Sequence, residues 1–216
     1  MKELFFSLIR SSIGRKCLMA VTGLGAIGFL IVHMGGNLFI FRGQDQINSY
    51  AHHLHSLPFL PVLEVSLFAL FAAHIILSIV VTLQNQNARP IRYAVNASAG
   101  ASNLSSSTMI YSGIAILAFI AFHIWHMKFS HSAHVDEYIK VTSILGHPII
   151  TIGYILGILA VGLHLFHGAN SAFQSLGLRY PKFDYIVEVG GRVCALTITF
   201  GFISIPVYVW FVLRGG

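Results

Sequence analysis

Apolar residues in this chain are gathered into five long stretches, which short polar segments separate. The stretches cover approximately residues 16–41, 61–84, 109–129, 147–170 and 193–213. Each is close to or longer than the ~20 residues that an α-helix needs to cross the hydrocarbon layer of a bilayer. The pattern therefore predicts an all-α membrane protein with five transmembrane helices.

The segments between the stretches are too short for a soluble domain, so residues 1–216 are expected to form a single membrane domain. Composition agrees, since 56% of the residues are hydrophobic, 9% are charged and the mean hydropathy is +0.76. Residues 1–15 carry apolar side chains on one helical side, which predicts a short helix in the membrane interface. Residues 44–61 are long enough for a short surface helix, and the small, polar residues 94–108 predict a loop.

The basic residues are divided unevenly between the two sides of the predicted bundle. Because short cytoplasmic loops are rich in Lys and Arg, the excess on the N-terminal side predicts a cytoplasmic N-terminus. The net charge of +6 is then a topology signal and not a sign of nucleic-acid binding. The inner set is Lys2, Arg10, Arg15, Lys16, Arg89, Arg92, Arg179, Lys182 and Arg192, and the outer set is Arg42, Lys128, Lys140 and Arg214.

One histidine lies inside each of the first four stretches: His33, His74, His123 and His164. Ionisable side chains are costly inside a bilayer, so each of them needs a partner or a function. At a rise of about 1.5 Å per residue, His33 and His123 share a level in the outer half of the membrane, and His74 and His164 share one in the inner half. Matched pairs on alternating helices of a four-helix bundle predict two haems, each with two axial imidazoles.

Alternatives stay open at this point. An interhelical hydrogen bond commonly explains a single intramembrane histidine, and His126 and His167 follow two of the candidates by three residues, so either member of each couple could be the ligand. The glycines of the first and fourth stretches serve either close helix packing or room for a macrocycle. His52, His53 and His55 favour a surface or pocket-edge role over a metal site, because no carboxylate cluster accompanies them.

Several strings, taken in their order and spacing, resemble one known family. They are SSIGRK before the first stretch, IVHMGGN around His33, INSYAHHLHSLPFLPVLE ahead of AAH at His74, AFHIWH at His123 and GLHLFHGANSAFQSLG around His164. Over nearly its whole length, the chain resembles the five-helix, two-haem cytochrome b subunit that anchors succinate dehydrogenases and fumarate reductases, the succinate:quinone oxidoreductases.

The resemblance implies His33 with His123 as ligands of an outer, distal haem b, and His74 with His164 as ligands of an inner, proximal one. It makes His126 and His167 neighbours that contact the haem propionates. The basic inner residues, Arg15 among them, then serve the propionates or subunit docking, with attraction to anionic lipid as the alternative. Each ligand is expected to donate a hydrogen bond from its second ring nitrogen, for instance to the carbonyl four residues earlier.

The resemblance also implies an assembly in a bacterial cytoplasmic membrane. A flavoprotein and an iron–sulfur subunit would bind on the cytoplasmic face, and electrons would pass between the iron–sulfur subunit and a membrane quinone, menaquinone being expected, through the two haems. The chain alone would not act on succinate. The direction of turnover, the haem potentials and the oligomeric state stay open, a dimer of the complex included.

Some family members carry a glutamate two residues before the fourth ligand, where this chain has Gly162. Glu64, ten residues before His74 and near the outer side, becomes the candidate for quinone proton transfer. The alternative is a favourable negative charge at a helix start. Two rival functions remain: a dihaem cytochrome b of another respiratory complex, and a transporter that uses histidines. Transporters usually have broken helices, whereas only Pro206 interrupts a stretch here.

Overall fold

The protein is built from long α-helices. The computed structural model describes residues 11–87, 102–130 and 136–213, and no strand occurs among them. The long helices are α1 (Ser12–Asn37), α3 (Leu60–Asn87), α4 (Ser102–Ile124), α6 (Pro148–Ser175) and α7 (Asp184–Tyr208), with α2 (Gln44–His55) and α5 (Glu137–Leu145) as short helices between them. A 3-10 turn, Leu38–Arg42, follows α1, and π-helical turns follow α4 (Trp125–Phe129) and α7 (Val209–Leu213).

Five of these helices are long and apolar enough to cross a membrane, which confirms the predicted fold class. The most apolar part of α3 has a mean hydropathy of 2.4, yet only 6% of it is buried inside the protein. Such an apolar exterior is stable in lipid, where helices satisfy their backbone hydrogen bonds internally. The chain is therefore a multi-pass membrane protein.

Two element boundaries differ from the prediction. The first long helix begins at Ser12, because the Ser11 side chain accepts a hydrogen bond of 2.9 Å from the Gly14 N–H and caps it. Residues 12–15 thus belong to α1, and the rest of the predicted interfacial segment lies outside the described residues. The loop predicted at 94–108 is too long, since α4 already begins at Ser102. No Gly or Pro lies between there and position 108, and serine is tolerated in a first helical turn.

Helix α6 lies at the centre of the bundle, where it packs against α1, α4 and α7, and α1 also packs against α3. The two short helices pack on each other and close one end of the bundle. Asp136 joins them: its carboxylate accepts from Gln44 Nε2 at 2.9 Å and from the Ile139 N–H at 3.2 Å, so that it also caps α5. Beneath this end, Tyr154 and Leu145 belong to a buried apolar cluster.

Candidate functional site

The structure brings the four intramembrane histidines together as two pairs. The ring centroids of His33 and His123 are 5.9 Å apart, and those of His74 and His164 are 6.5 Å apart. Within the described part of the chain, α1 packs little or not at all on α4, and α3 packs little or not at all on α6. Each pair therefore joins two helices that are not direct neighbours, across the interior of the bundle.

The separation within each pair suits two imidazoles that share one metal ion. Two such rings have their centroids about 6 Å apart, because a metal–nitrogen bond is about 2 Å long and the centroid lies about 1 Å further on. The ring planes are nearly perpendicular, at 85° in the pair His33–His123 and 81° in the pair His74–His164. The described residues contain no cluster of three or more His, Cys, Asp or Glu that could hold a metal ion without a macrocycle. The residues present thus fit a haem iron with two axial histidines.

The pair His74–His164 is surrounded by polar groups of other helices. His74 Nδ1 lies 3.1 Å from both the Met19 carbonyl oxygen and Thr22 Oγ1 on α1. His164 Nδ1 lies 3.1 Å from Ser112 Oγ on α4. The partner of His74 is therefore on a neighbouring helix, and the expected bond to its own carbonyl four residues earlier is wrong for this histidine.

The pair His33–His123 is surrounded by aromatic rings instead. Phe29 stacks on His33 with a centroid distance of 5.1 Å, and Tyr154 lies 5.8 Å from the His123 ring. His123 Nδ1 and the Tyr154 hydroxyl are both buried without a hydrogen-bond partner among the described residues. His33 Nδ1 has a long contact of 3.4 Å with Asn37 Nδ2. The two pairs consequently differ in polarity.

A spacing of 90 residues relates the two halves of the site. In each pair the second histidine lies 90 residues after the first, and several neighbouring residues are related by the same offset. The related couples are Met19 and Met109, Thr22 and Ser112, Gly23 and Gly113, Phe29 and Phe119, His33 and His123, and His74 and His164. Thr22 and Ser112 were not predicted as site residues from the sequence, although the offset of 90 residues could have revealed them.

Two further histidines, His126 and His167, each follow a paired histidine by three residues. His126 lies in the π-helical turn after α4, and its Nδ1 donates to the Phe122 carbonyl at 2.8 Å, four residues earlier. His167 lies edge-on against the Phe166 ring. Arg15 Nε, two helical turns before Thr22 on α1, is buried without a hydrogen-bond partner among the described residues. An anionic group at that place would satisfy it.

Glu64 lies on the surface near the start of α3. Its carboxylate forms an ion pair of 2.7 Å with Lys128, and about half of each side chain is exposed. Lys128 belongs to the π-helical turn that carries His126, so the ion pair connects α3 to the end of α4. His52 and His53 line an open groove on the surface of α2 and His55 is exposed nearby, which places all three away from the two pairs.

Two kinds of close contact explain glycines near the histidine pairs and between the helices. A Cβ on Gly23 would lie 3.0 Å from His74 Cε1, and one on Gly113 would lie 3.8 Å from His164 Cε1, so these glycines make room for imidazoles. A Cβ on Gly162 would collide with the Thr199 side chain on α7, and Gly25 is similarly close to Leu70 on α3. The position at which some family members carry a glutamate is therefore a close contact between α6 and α7, with no room for that side chain.

Comparison with known proteins identifies a respiratory relative. No family model matches the chain, and no solved structure matches it. Over 156 residues the chain is 25% identical to the succinate dehydrogenase cytochrome b558 subunit of Bacillus subtilis (strain 168), an alignment that covers 69% of this chain and 72% of that subunit. The similarity confirms the resemblance to succinate dehydrogenase cytochrome b subunits that the sequence motifs predict.

Proposed function

We propose that this chain is the membrane-anchor cytochrome b subunit of a succinate:quinone oxidoreductase. It would hold one haem b between His74 and His164 and a second between His33 and His123. The observation that carries the proposal is the pair of histidine couples, each at the separation of two imidazoles on one iron and each joining helices across the bundle. The similarity to the cytochrome b558 subunit supports the kind of complex.

The described residues perform the protein's share of this function. A bound haem supplies reversible one-electron chemistry, and the protein sets its ligation, polarity and hydrogen bonding. Four helices hold the imidazoles at two levels, so that two redox groups would follow one another across the membrane. Arg15, whose Nε is buried without a hydrogen-bond partner among the described residues, is proposed to bind a propionate of the haem at His74. His126 and His167 are proposed to contact haem propionates as well.

The proposed assembly follows the family. A flavoprotein and an iron–sulfur subunit would bind at the cytoplasmic face, on the side of the N-terminus, and menaquinone would exchange electrons with this subunit near the other side. The direction of turnover is not part of the proposal, since succinate oxidation and fumarate reduction use the same components. A dihaem cytochrome b of another complex would share both histidine pairs and differ in the subunits that copurify.

A transporter is the weaker candidate. Each of the four histidines lies within a continuous α-helix, and the two π-helical turns lie at helix ends, after Ile124 and after Tyr208. Even at Pro206 helix α7 continues to Tyr208. The described residues thus lack the broken helices at mid-membrane on which transporter sites are usually built.

The haem content of the full-length chain in membranes tests the proposal. Reduced-minus-oxidised spectra with pyridine haemochrome quantitation should give two b haems for each polypeptide. His33→Ala and His74→Ala should each remove one of them, because each variant deletes one axial ligand. His147→Ala is the matched control, since His147 lies at the start of α6 outside both pairs. A folded, inserted chain without haem would overturn the proposal.

Glu64 is proposed as the group that exchanges a proton with the quinone. Glu64→Gln in the assembled complex should abolish quinone turnover and leave both haems in place. Lys128→Gln is the control, because it breaks the ion pair while keeping the carboxylate, and an exposed ion pair contributes only about 0–1 kcal/mol to stability. Full turnover in Glu64→Gln would remove Glu64 from the mechanism, and an equal loss in Lys128→Gln would show that the ion pair matters and the proton does not.

A further inference from the structure

The two hydroxyls beside His74 and His164 are arranged alike in the two halves of the chain. Thr22 lies 52 residues before His74, and Ser112 lies 52 residues before His164. In both cases the hydroxyl oxygen is 3.1 Å from the Nδ1 of a histidine on another helix. The repeat at a spacing of 90 residues thus extends to the hydrogen-bond geometry around the two histidines.

The hydrogen-bond directions at these sites are determined by their partners. Thr22 Oγ1 has one proton, which it donates to the carbonyls of Leu18 and Met19 at 2.9 and 3.0 Å, and Ser112 Oγ donates in the same way to Met109 at 3.1 Å. The hydroxyl oxygens are therefore left as acceptors towards the histidines. The Met19 carbonyl, also 3.1 Å from His74 Nδ1, can only accept.

The proton of His74 must accordingly lie on Nδ1, which leaves the Nε2 lone pair free. The proton of His164 is placed in the same way, because Ser112 Oγ donates its own proton to the Met109 carbonyl and is left to accept from His164 Nδ1. The other pair lacks this arrangement: among the described residues His123 Nδ1 has no partner, and His33 Nδ1 meets only the Asn37 amide nitrogen. The hydroxyls thus act on one pair of histidines and not on the other.

We propose that Thr22 and Ser112 are positioning residues for a single haem, the one between His74 and His164. They fix both imidazoles in the tautomer that ligates through Nε2, and they increase the electron donation of both rings to the iron. This inference rests on the proposed function. Because a hydrogen bond accepted from Nδ1–H makes a ligating imidazole more basic, it stabilises the ferric state over the ferrous state.

The test is a redox titration of both haems in membranes, with Thr22→Val and Ser112→Ala as the deletions. Each should raise the midpoint potential of the same haem and leave the other unchanged. In Thr22→Val the retained Met19 carbonyl should keep the haem bound. Loss of such a partner typically costs about 10- to 100-fold in metal affinity. If the lower end of that loss falls on the ferric state, the ferric-to-ferrous ratio changes about tenfold, which equals about 59 mV for one electron. The double variant should raise the potential of that haem further than either single variant, and the difference from the sum measures the coupling of two changes that act on one iron.

Three controls separate this role from a packing effect. Thr22→Ser keeps the hydroxyl and should keep the wild-type potential, and Ser112→Thr should do the same. Ser78→Ala removes a hydroxyl one turn after His74 whose hydrogen bond, among the described residues, goes to the Ile75 carbonyl alone, so it should shift neither haem.

Unchanged potentials in both deletion variants, or shifts in two different haems, would overturn the inference while the proposed function stands. If Thr22→Val loses a haem, restoration by Thr22→Ser supports the inference, and failure of Thr22→Ser to restore it overturns it. A wild-type chain without haem would instead overturn the proposed function itself.

Discussion

Replacing Gly23 by alanine is expected to disturb the pair His74–His164 selectively. The added methyl carbon would lie 3.0 Å from His74 Cε1, about 0.4 Å inside the 3.4 Å at which ordinary contact begins. The ring cannot retreat freely, because its Nδ1 is held by the Met19 carbonyl and the Thr22 hydroxyl at 3.1 Å each. The His74 ring must therefore either turn away from His164 or stretch these two hydrogen bonds.

The magnitude follows from the cost of overpacking. Inserting a methyl group into a packed site costs about 1–3 kcal/mol, and at 1.4 kcal/mol for each tenfold change the haem affinity of this pair should fall roughly 5- to 150-fold. The helix itself gains up to ~1 kcal/mol when alanine replaces glycine in its interior. That gain acts on the fold as a whole, so it does not restore the position of the imidazole.

Haem stoichiometry and haem release to apomyoglobin are suitable assays, with two glycines as graded controls. Gly113→Ala places its methyl 3.8 Å from His164 Cε1, an ordinary contact, and Gly190→Ala meets nothing within 4 Å. Both controls should retain two haems with unchanged release rates, whereas Gly23→Ala should lose or release one. Equal haem retention in all three variants would refute the reasoning that Gly23 seats the His74 ring.

The remaining predictions concern the frame of the bundle. Gly162→Ala should lower the unfolding free energy in detergent by about 1–3 kcal/mol, because the Thr199 side chain blocks a methyl there; unchanged thermal unfolding would contradict this. Asp136→Ala should destabilise the end formed by α2 and α5 by about 0.5–2 kcal/mol, which the thermal midpoint at neutral pH will show. The hydrogen bond from Gln44 lowers the pKa of the Asp136 carboxyl. In the wild-type protein the stability that Asp136 contributes should therefore be present at any pH above the ordinary aspartate pKa of about 3.9, and it should be lost as the pH falls through the lowered pKa. An identical dependence of stability on acid pH in Asp136→Ala would contradict the assignment. Tyr154→Phe should leave the unfolding free energy of the haem-free chain unchanged or raise it, since the buried hydroxyl has no hydrogen-bond partner among the described residues. A loss of more than about 1 kcal/mol would show that the hydroxyl does have a partner.

The helices and the pairing of the histidines could be predicted because both depend on repeating geometry. A run of apolar residues defines a span with little reference to the rest of the protein, and a constant rise for each residue converts positions into levels. The structure accordingly places His33 beside His123 and His74 beside His164. Ligation of haem by these pairs remains a proposal, and so does the role of Glu64.

Contacts between helices could not be predicted, because they depend on how each helix is rotated about its axis. Thr22 and Ser112 are ordinary hydroxyl residues in an apolar sequence, and only the packing of α1 on α3 and of α4 on α6 brings them to histidines. The position of Gly162 is similar: its lack of a side chain is explained by Thr199 on a helix further along the chain. The helical start of residues 102–108 was missed because serines are typical of loops as well as of first turns.

The cross-bundle pairing of histidines has a consequence for biogenesis. Each pair takes one residue from the first helical hairpin and one from the second, so a chain emerging from the ribosome contains neither complete pair until α4, and then α6, has entered the membrane. The pair of His33 can close first, and the pair of His74 must wait for the insertion of His164. A cofactor held between such imidazoles would therefore bind late, first at the pair of His33 and then at the pair of His74. Once bound, it would link the first helical hairpin to the second.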